Sequence, residues 1–589
     1  MRTELAQIDV IAARFFAGGG QPGLAYGIVA DGELVHAGGC GANWPGGPRP
    51  GADTVFRIAS MTKSFTAAQI LLLRDRGMLR LDDPAQAYVT ELGGLELPSA
   101  DCPPLSVRHL LTMTAGFPTD DPWGDRQQGL APAAFARLLA DGGVRCAWAP
   151  GTRFEYSNLG YAVLGKVIET VTGLNYAQAI RKDVLRPLGL DRTGFEADEF
   201  DAAQFARGYR RDAGGWLELG PDPSGAFAPM GGIFSCVRDL ARWVAGFAAA
   251  FPARTAAENG HPLGRGSRRE MQLGQVPIPA SGDGLAVRLD PGPASVSYGF
   301  GLFAEDDPAF GTIVQHSGGY PGYGSHMRWH PATGLGAIVL ANSTYAAAGA
   351  LAGELLGAML GVQASAASEA GSDLVRGPVP APGGPWPETI AARDAVSRLL
   401  DDWDDDLAGG LFAANVELDR PLAERRADIA RLRERIGPFR VDHGRPAECE
   451  SPAHYRWWLT GERGTVSAEI RLAPLRQPLV QQLILAVPPA EGSPLHRAVE
   501  SIVGALNAGA PQWPPALDAA AAVDTSQVVR NLRTAAAWAG RCEIDSYTAG
   551  NGDTNVSVKL AGETGRIILA IALDGSGREV QRAEVSLVR

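Results

Sequence analysis

The spacing of apolar and polar positions changes several times along the chain, and each change of period predicts an element. After a helical start, residues 24–30 form an apolar run of strand length, Asp31-Gly32 supplies a tight turn, and residues 33–37 read as a second strand. Residues 62–79 carry the helical period instead, with Ala67, Ala68, Ile70, Leu71, Leu72 and Leu73 on a broad apolar face that Gly77 closes. Residues 335–341 are continuously apolar, which suits a central strand covered on both faces. Residues 1–362 therefore read as one mixed α/β unit. The segment 363–387 is rich first in Ala and Ser, then in Pro and Gly, and is expected to be a semi-rigid linker.

Beyond the linker the pattern repeats. Leu459, Gly461, Glu462 and Gly464 match Leu560, Gly562, Glu563 and Gly565, and Val466, Ile470 and Leu472 match Ile567, Ile571 and Leu573. Upstream, Leu432-Arg433 matches Leu532-Arg533, and Ala395-Val396 matches Ala498-Val499. Each copy places helix before strand, and the alternation Val466, Ala468, Ile470, Leu472 is that of a half-buried strand. Two accessory α+β modules are expected, at 388–490 and 491–589. Their order of elements resembles cone-shaped ketosteroid-isomerase-like domains; small β-barrels are the alternative.

Composition narrows the class. With 589 residues, 45% apolar and 20% charged, the chain has ample material for several cores and is not a disordered protein. A net charge of −12 argues against nucleic acid or an anionic membrane as its main partner. The six cysteines are scattered without a C-x-x-C pair, so neither a disulfide framework nor a zinc ribbon is expected. The first residues carry acids where a signal peptide has an apolar core, and no apolar run is long enough for a membrane span; the reading is cytoplasmic. Of 53 basic residues only Lys63, Lys166, Lys182 and Lys559 are lysines. That makes each of them notable, because lysine, unlike arginine, can lose its proton inside a protein.

One of these lysines belongs to the first of three motifs. Ser60 and Lys63 lie three apart on a helix, hence on one face, and a serine hydroxyl becomes a nucleophile only when a base takes its proton. In Tyr156-Ser157-Asn158 a phenol that can shuttle a proton precedes a carboxamide that can both donate and accept. In His316-Ser317-Gly318-Gly319 the glycines let a strand edge approach a ligand closely. Chance alone would produce each motif about 0.1–0.2 times in such a chain, and all three together about 0.005 times.

In that order, the three motifs resemble those of the penicillin-recognising serine hydrolases. The likeness is greatest to the branch of class C β-lactamases, D-Ala-D-Ala carboxypeptidases, D-aminopeptidases and esterases. Segments 107–116, 185–190, 230–235, 298–302 and 341–343 share the family's texture, and the likeness covers residues 10–360. It implies a serine β-lactamase-like α/β (α+β) fold: an antiparallel sheet flanked by helices, plus an all-helical region. It also implies Ser60 as the acylated nucleophile, Lys63 and Tyr156 as the proton-transfer pair, and Asn158, His316, Ser317 and Gly318 as substrate-binding residues. The backbone N–H groups of Ser60 and Gly319 would form the oxyanion hole. No metal or cofactor is needed, and the partner is a small-molecule or peptide substrate, with homo-oligomerisation through the C-terminal modules left open.

One departure bears on substrate. The family usually opens its third motif with lysine, a fixed cation for a substrate carboxylate; His316 is largely neutral near pH 7. This weakens carboxylate recognition and favours an esterase, amidase or aminopeptidase-like reading, within an expected serine hydrolase of esters or amides that is esterase-, D-aminopeptidase- or carboxypeptidase-like. A peptidyl transferase or cyclase, a true β-lactamase, and a catalytically silent binding protein with the same fold are the alternatives. His326 and His330 lack metal-ligand spacing with His316. The acidic run 401–406 lacks the Gly and distal Glu of a calcium loop and reads as a solvated helix end, and Trp457-Trp458 reads as core.

Overall fold

The computed structural model describes residues 2–361 and 384–588, apart from 213–214, 255–259, 279–294, 308–309, 450, 509–511, 516, 521–522, 524, 564–565, 575–576 and 578. The expected linker at 363–387 lies mostly outside the described residues. The chain forms two compact units, one of residues 1–279 with 293–365, the other holding residues 366–589.

The first unit is organised by an eight-stranded antiparallel sheet. Its strands are β1 (Gly23–Ala30), β2 (Glu33–Gly41), β3 (Val276–Pro277), β4 (Ser295–Tyr298), β5 (Phe303–Asp307), β6 (Gly311–Tyr320), β7 (Tyr323–His330) and β8 (Leu335–Ala341), in the order β2-β1-β8-β7-β6-β5-β4-β3. The Asp31-Gly32 turn joins β1 to β2 with both φ angles positive, at +52° and +80°, as a two-residue hairpin requires. All eight residues of β1 are buried, and β8 lies between β1 and β7, so the apolar runs become central strands.

Alternation divides the sheet's two faces. Leu24, Tyr26 and Ile28 with Ala337, Val339 and Ala341 pack against α1 (Arg2–Ala17) and α5 (Ala348–Met359), through Ile8, Ile11, Leu351 and Leu355. The other face meets α4 (Val237–Ala248) and residues 59–61, which lead into α2 (Thr62–Asp75), itself packed on α3 (Asn158–Thr172). Helix α2 stops at Asp75, short of the expected Leu79. Gly77, at φ +72°, turns the chain, and the amides of Gly77 and Met78 satisfy the carbonyls of Arg74 and Leu73.

In the second unit, helix Pro387–Asp401 and helix Leu422–Ile436 precede a sheet of strands Arg440–Val441, His454–Gly461, Gly464–Leu472 and Val480–Ala486. Helix Pro494–Leu506 and helix Thr525–Ala539 then precede the meander Cys542–Ala549, Asn555–Gly562, Arg566–Leu573 and Glu579–Val588. Sequence-matched residues sit in corresponding elements: Val396 and Val499 in the first helix of each copy, Leu432 and Leu532 in the last helix before the sheet, Leu459 and Leu560 in the second strand after that helix. Both sheets are open, in contrast to the barrel alternative. Strand Gly464–Leu472 is covered on its polar face as well, since Glu469 is buried against Arg456 and lies 3.1 Å from His454 Nε2. Paired charge is what makes that burial tolerable. Trp457 is buried, and Asp404 caps helix Asp405–Leu411 by accepting from the amides of Asp406 and Leu407. Among the described residues no helix is long and apolar enough to cross a membrane.

Candidate active site

The site begins at a bend in the chain. Ala59 adopts a left-handed conformation at φ +47°, unusual for a residue with a Cβ, and presents Ser60 at the entrance to α2. The bend is braced from both sides. The Ile58 amide donates to the Ile233 carbonyl at 2.9 Å, and Ser325 Oγ of β7 donates to the Ile58 carbonyl at 2.7 Å. Gly318 of β6 lies so close that a Cβ there would come within 2.1 Å of the same carbonyl oxygen. One turn on, Phe65 stacks on Trp243 with ring centroids 4.0 Å apart, which fixes α2 against α4.

Lys63 is fully buried one turn after Ser60. Its Nζ lies 3.0 Å from Ser60 Oγ, 2.7 Å from Asn158 Oδ1 and 2.9 Å from the Met230 carbonyl oxygen. Burial pushes its pKa down to about 8, against the opposing pull of Asp121, Asp125 and Asp120. The three contacts match either protonation state. An ammonium donates to all three oxygens; a neutral amine donates to Asn158 and Met230 and turns its lone pair toward the Ser60 hydroxyl.

Tyr156 faces the same pair, its ring 4.8 Å from Lys63 Nζ. Burial raises the Tyr156 phenol well above its ordinary pKa, with Asp121 adding to the rise and the Ser60 hydroxyl opposing it. Asn158 opens α3, where its amide and that of Leu159 donate to the buried Asp120 carboxylate at 2.6 and 2.9 Å. Its side-chain Nδ2 donates to Asp121 Oδ1 at 2.7 Å, which obliges Oδ1 to face Lys63. Desolvation raises Asp120 to about 7 even with two amides bonded to it.

The third motif lies on β6 beside this group. Strand β5 pairs with β6 only from Gly311 to Gln315, so residues 316–320 present a sheet edge. His316 is buried among Tyr156, Tyr298 and Phe303, and burial with the nearby Lys63 lowers its pKa to about 3. Its ring is therefore neutral. Ser317 Oγ is bonded to His326 Nδ1 at 2.7 Å, while His330 bonds Thr333 and the Phe310 carbonyl. Among the described residues no group of acidic, His or Cys side chains is arranged to hold a metal.

Ser60, Lys63, Tyr156, Asn158 and His316 are thus gathered from three distant stretches of chain. Sequence reasoning passed over Asp120, Asp121, Asp125 and the Met230 carbonyl. The run Asp120-Asp121-Pro122 looks like an ordinary helix start, and a carbonyl has no sequence signature. Arg57, the basic residue close to Ser60, is already engaged within the fold. Its guanidinium is sandwiched between Tyr320 and Phe234, at 4.6 and 4.3 Å, and donates to the Asp222 carbonyl at 2.9 Å.

A family model described as Beta-lactamase matches residues 9–358. The chain is 26% identical over 349 residues to the D-alanyl-D-alanine-carboxypeptidase/endopeptidase AmpH of Escherichia coli, a match covering 56% of this chain and 82% of that one. It is 26% identical to Penicillin-binding protein 4* of Bacillus subtilis, covering 47% of this chain, and 25% identical to Protein flp of Staphylococcus aureus, covering 57%. Those matches span 58% and 62% of the relatives' own lengths. Among solved structures, the octameric penicillin-binding protein homologue from Pyrococcus abyssi aligns over 99% of both chains with a TM-score of 0.53 at 19% identity. The chain is a member of the Beta-lactamase family of serine hydrolases and penicillin-binding proteins.

Proposed function

We propose that the protein hydrolyses an ester or amide through an acyl-enzyme on Ser60. The observation that carries this reading is Lys63, buried, 3.0 Å from Ser60 Oγ, with its remaining donors accepted by Asn158 and Met230. Neutral Lys63 takes the Ser60 proton as Oγ adds to the substrate carbonyl. The N–H groups of Ser60 and Gly319 hold the resulting oxyanion. Tyr156, with its pKa raised, stays protonated and relays a proton toward the leaving group. Water then attacks the acyl carbonyl by the same steps in reverse, and Ser60 is restored.

The charges around the site support an acyl donor without a terminal carboxylate. Neutral His316 offers no fixed cation, and Asp121 and Asp125 add negative charge near Lys63. We assign the substrate to small esters and to amides or peptides that carry an uncharged or cationic group near the scissile bond. Self-association belongs to the same proposal, with the tail modules as the contact and the octameric P. abyssi homologue as the precedent. Light scattering at micromolar concentration should show an oligomer that deletion of residues 363–589 abolishes; a full-length monomer refutes it.

A fluorophosphonate probe read by intact mass tests the core claim. One adduct is expected on the wild type and none on Ser60→Ala. An unlabelled wild type, or a labelled Ser60→Ala, overturns the acyl-enzyme. A panel of p-nitrophenyl esters, D-amino acid anilides and a chromogenic cephalosporin then reads the substrate class, with the cephalosporin expected to be the slowest.

A further inference from the structure

Tyr345, just past β8, combines three features that folding alone does not favour. Its backbone is left-handed, at φ +50°, a conformation bulky residues seldom adopt. Its side chain is 51% exposed although aromatic. And it crosses the site. The Tyr345 amide is tied to the Tyr323 carbonyl at 3.1 Å, and from there the ring lies over Gly319, where an added Cβ would come within 2.6 Å of ring carbon Cδ1. The hydroxyl donates to Asp125 Oδ2 at 2.7 Å.

The two ends of this bridge belong to opposite walls. Gly319 is on the unpaired edge of β6, the strand pressed against the Ile58 carbonyl. Asp125 is buried at the end of helix Asp121–Asp125, whose Gly124 packs on Asn158, and its charge reaches Lys63. The phenol therefore forms a bar from the sheet edge to the helical wall, with its ring against the residue whose N–H is proposed to bind the oxyanion. A left-handed backbone persists for such a residue only when its surroundings over-determine it, and here the surroundings are the two walls of the cleft.

From this geometry we infer that Tyr345 is a specificity-determining residue, whose ring and bond to Asp125 limit the bulk of the group a substrate can place beside Gly319. The inference rests on Ser60 being the acylated nucleophile. Small acyl groups reach Ser60 with the bar in place. A bulky one must lift the ring from Gly319 and break the bond to Asp125, so its transition state bears a cost that the small one escapes.

The test compares kcat/KM for p-nitrophenyl acetate and p-nitrophenyl phenylacetate in the wild type, Tyr345→Gly and Tyr345→Phe. Glycine suits the left-handed backbone, which guards against misfolding. The bulky-to-small ratio should rise about tenfold or more in Tyr345→Gly, in the range of about 10–200-fold by which a pocket discriminates methylene-sized differences. Tyr345→Phe, which keeps the ring and loses the bond, should raise the ratio by a smaller factor. Relative rates of Ser60 labelling by a small and a bulky fluorophosphonate read the same ratio where turnover is slow. A ratio unchanged in either variant overturns the inference. Absence of any label on wild-type Ser60 instead removes the acyl-enzyme reading beneath it, so the two failures are distinct.

Discussion

Replacing Asp121 with asparagine separates charge from shape at the Lys63 site. Asp121 does two things: its Oδ1 accepts from Asn158 Nδ2 at 2.7 Å, and its charge holds the Lys63 pKa up against burial, ahead of Asp125 and Asp120. An amide in its place keeps an acceptor oxygen for Asn158 and removes only the charge. Only neutral Lys63 can take the Ser60 proton, so kcat/KM of the wild type should rise with pH through about 8. Without the Asp121 carboxylate the ammonium is less favoured and the limb moves to lower pH. A unit charge on the order of one side chain's width away, at an effective dielectric of about 20, is worth about 2 kcal/mol, or roughly one to two pH units. At pH 7 the wild type should work at about a tenth of its plateau, and Asp121→Asn at about half of its own or more. The assay is kcat/KM for p-nitrophenyl acetate across the limb, with Ser60 labelling to count active sites. A limb that stays in place or moves to higher pH refutes the assignment of Lys63 as the base.

Three further changes bear on the same geometry. Lys63→Arg substitutes a group that keeps its proton, so kcat/KM should fall by about 10²–10⁴-fold and the limb near 8 should vanish; a surviving limb counts against Lys63. Asp120→Ala leaves the amides of Asn158 and Leu159 without their acceptor, at about 1–3 kcal/mol each, and should lower both the denaturation midpoint of the first unit and the Ser60 labelling rate. Gly318→Ala drives a methyl to 2.1 Å from the Ile58 carbonyl oxygen and 2.2 Å from Ser325 Oγ. It should destabilise by about 1–3 kcal/mol or more in thermal unfolding, with slower labelling because the Ala59 bend shifts.

Much of this molecule was legible in its sequence because the informative residues are close together along the chain. Ser60 and Lys63 share a helical face, Tyr156 and Asn158 flank a helix cap, and Asp31-Gly32 marks its hairpin without help from the rest of the fold. Strand β8 declared itself by being apolar on both faces. What escaped depends on approach in space. Asp121 meets Asn158 from 37 residues away and Tyr345 meets Asp125 from 220, and neither distance has a local pattern. The polar face of Gly464–Leu472 read as exposed because charge alternating with apolar residues usually is; buried partners on the neighbouring strand reversed that. Helix α2 ran shorter than its apolar period because Gly77 turns the chain within the last turn that the pattern would allow.

The turn between β4 and β5 has a consequence of its own. Gly301, at φ +70°, rests on α2 so closely that a Cβ would lie 2.5 Å from the Lys63 carbonyl oxygen. The hairpin tip abuts α2 there, and β5 begins at Phe303. Were it two residues longer at that end, its own backbone would pair with His316 and Ser317 and occupy the place proposed for a substrate. The open edge of β6 is therefore a matter of where the hairpin ends, and a short insertion at residues 299–302 would lengthen β5 toward the site proposed for a substrate.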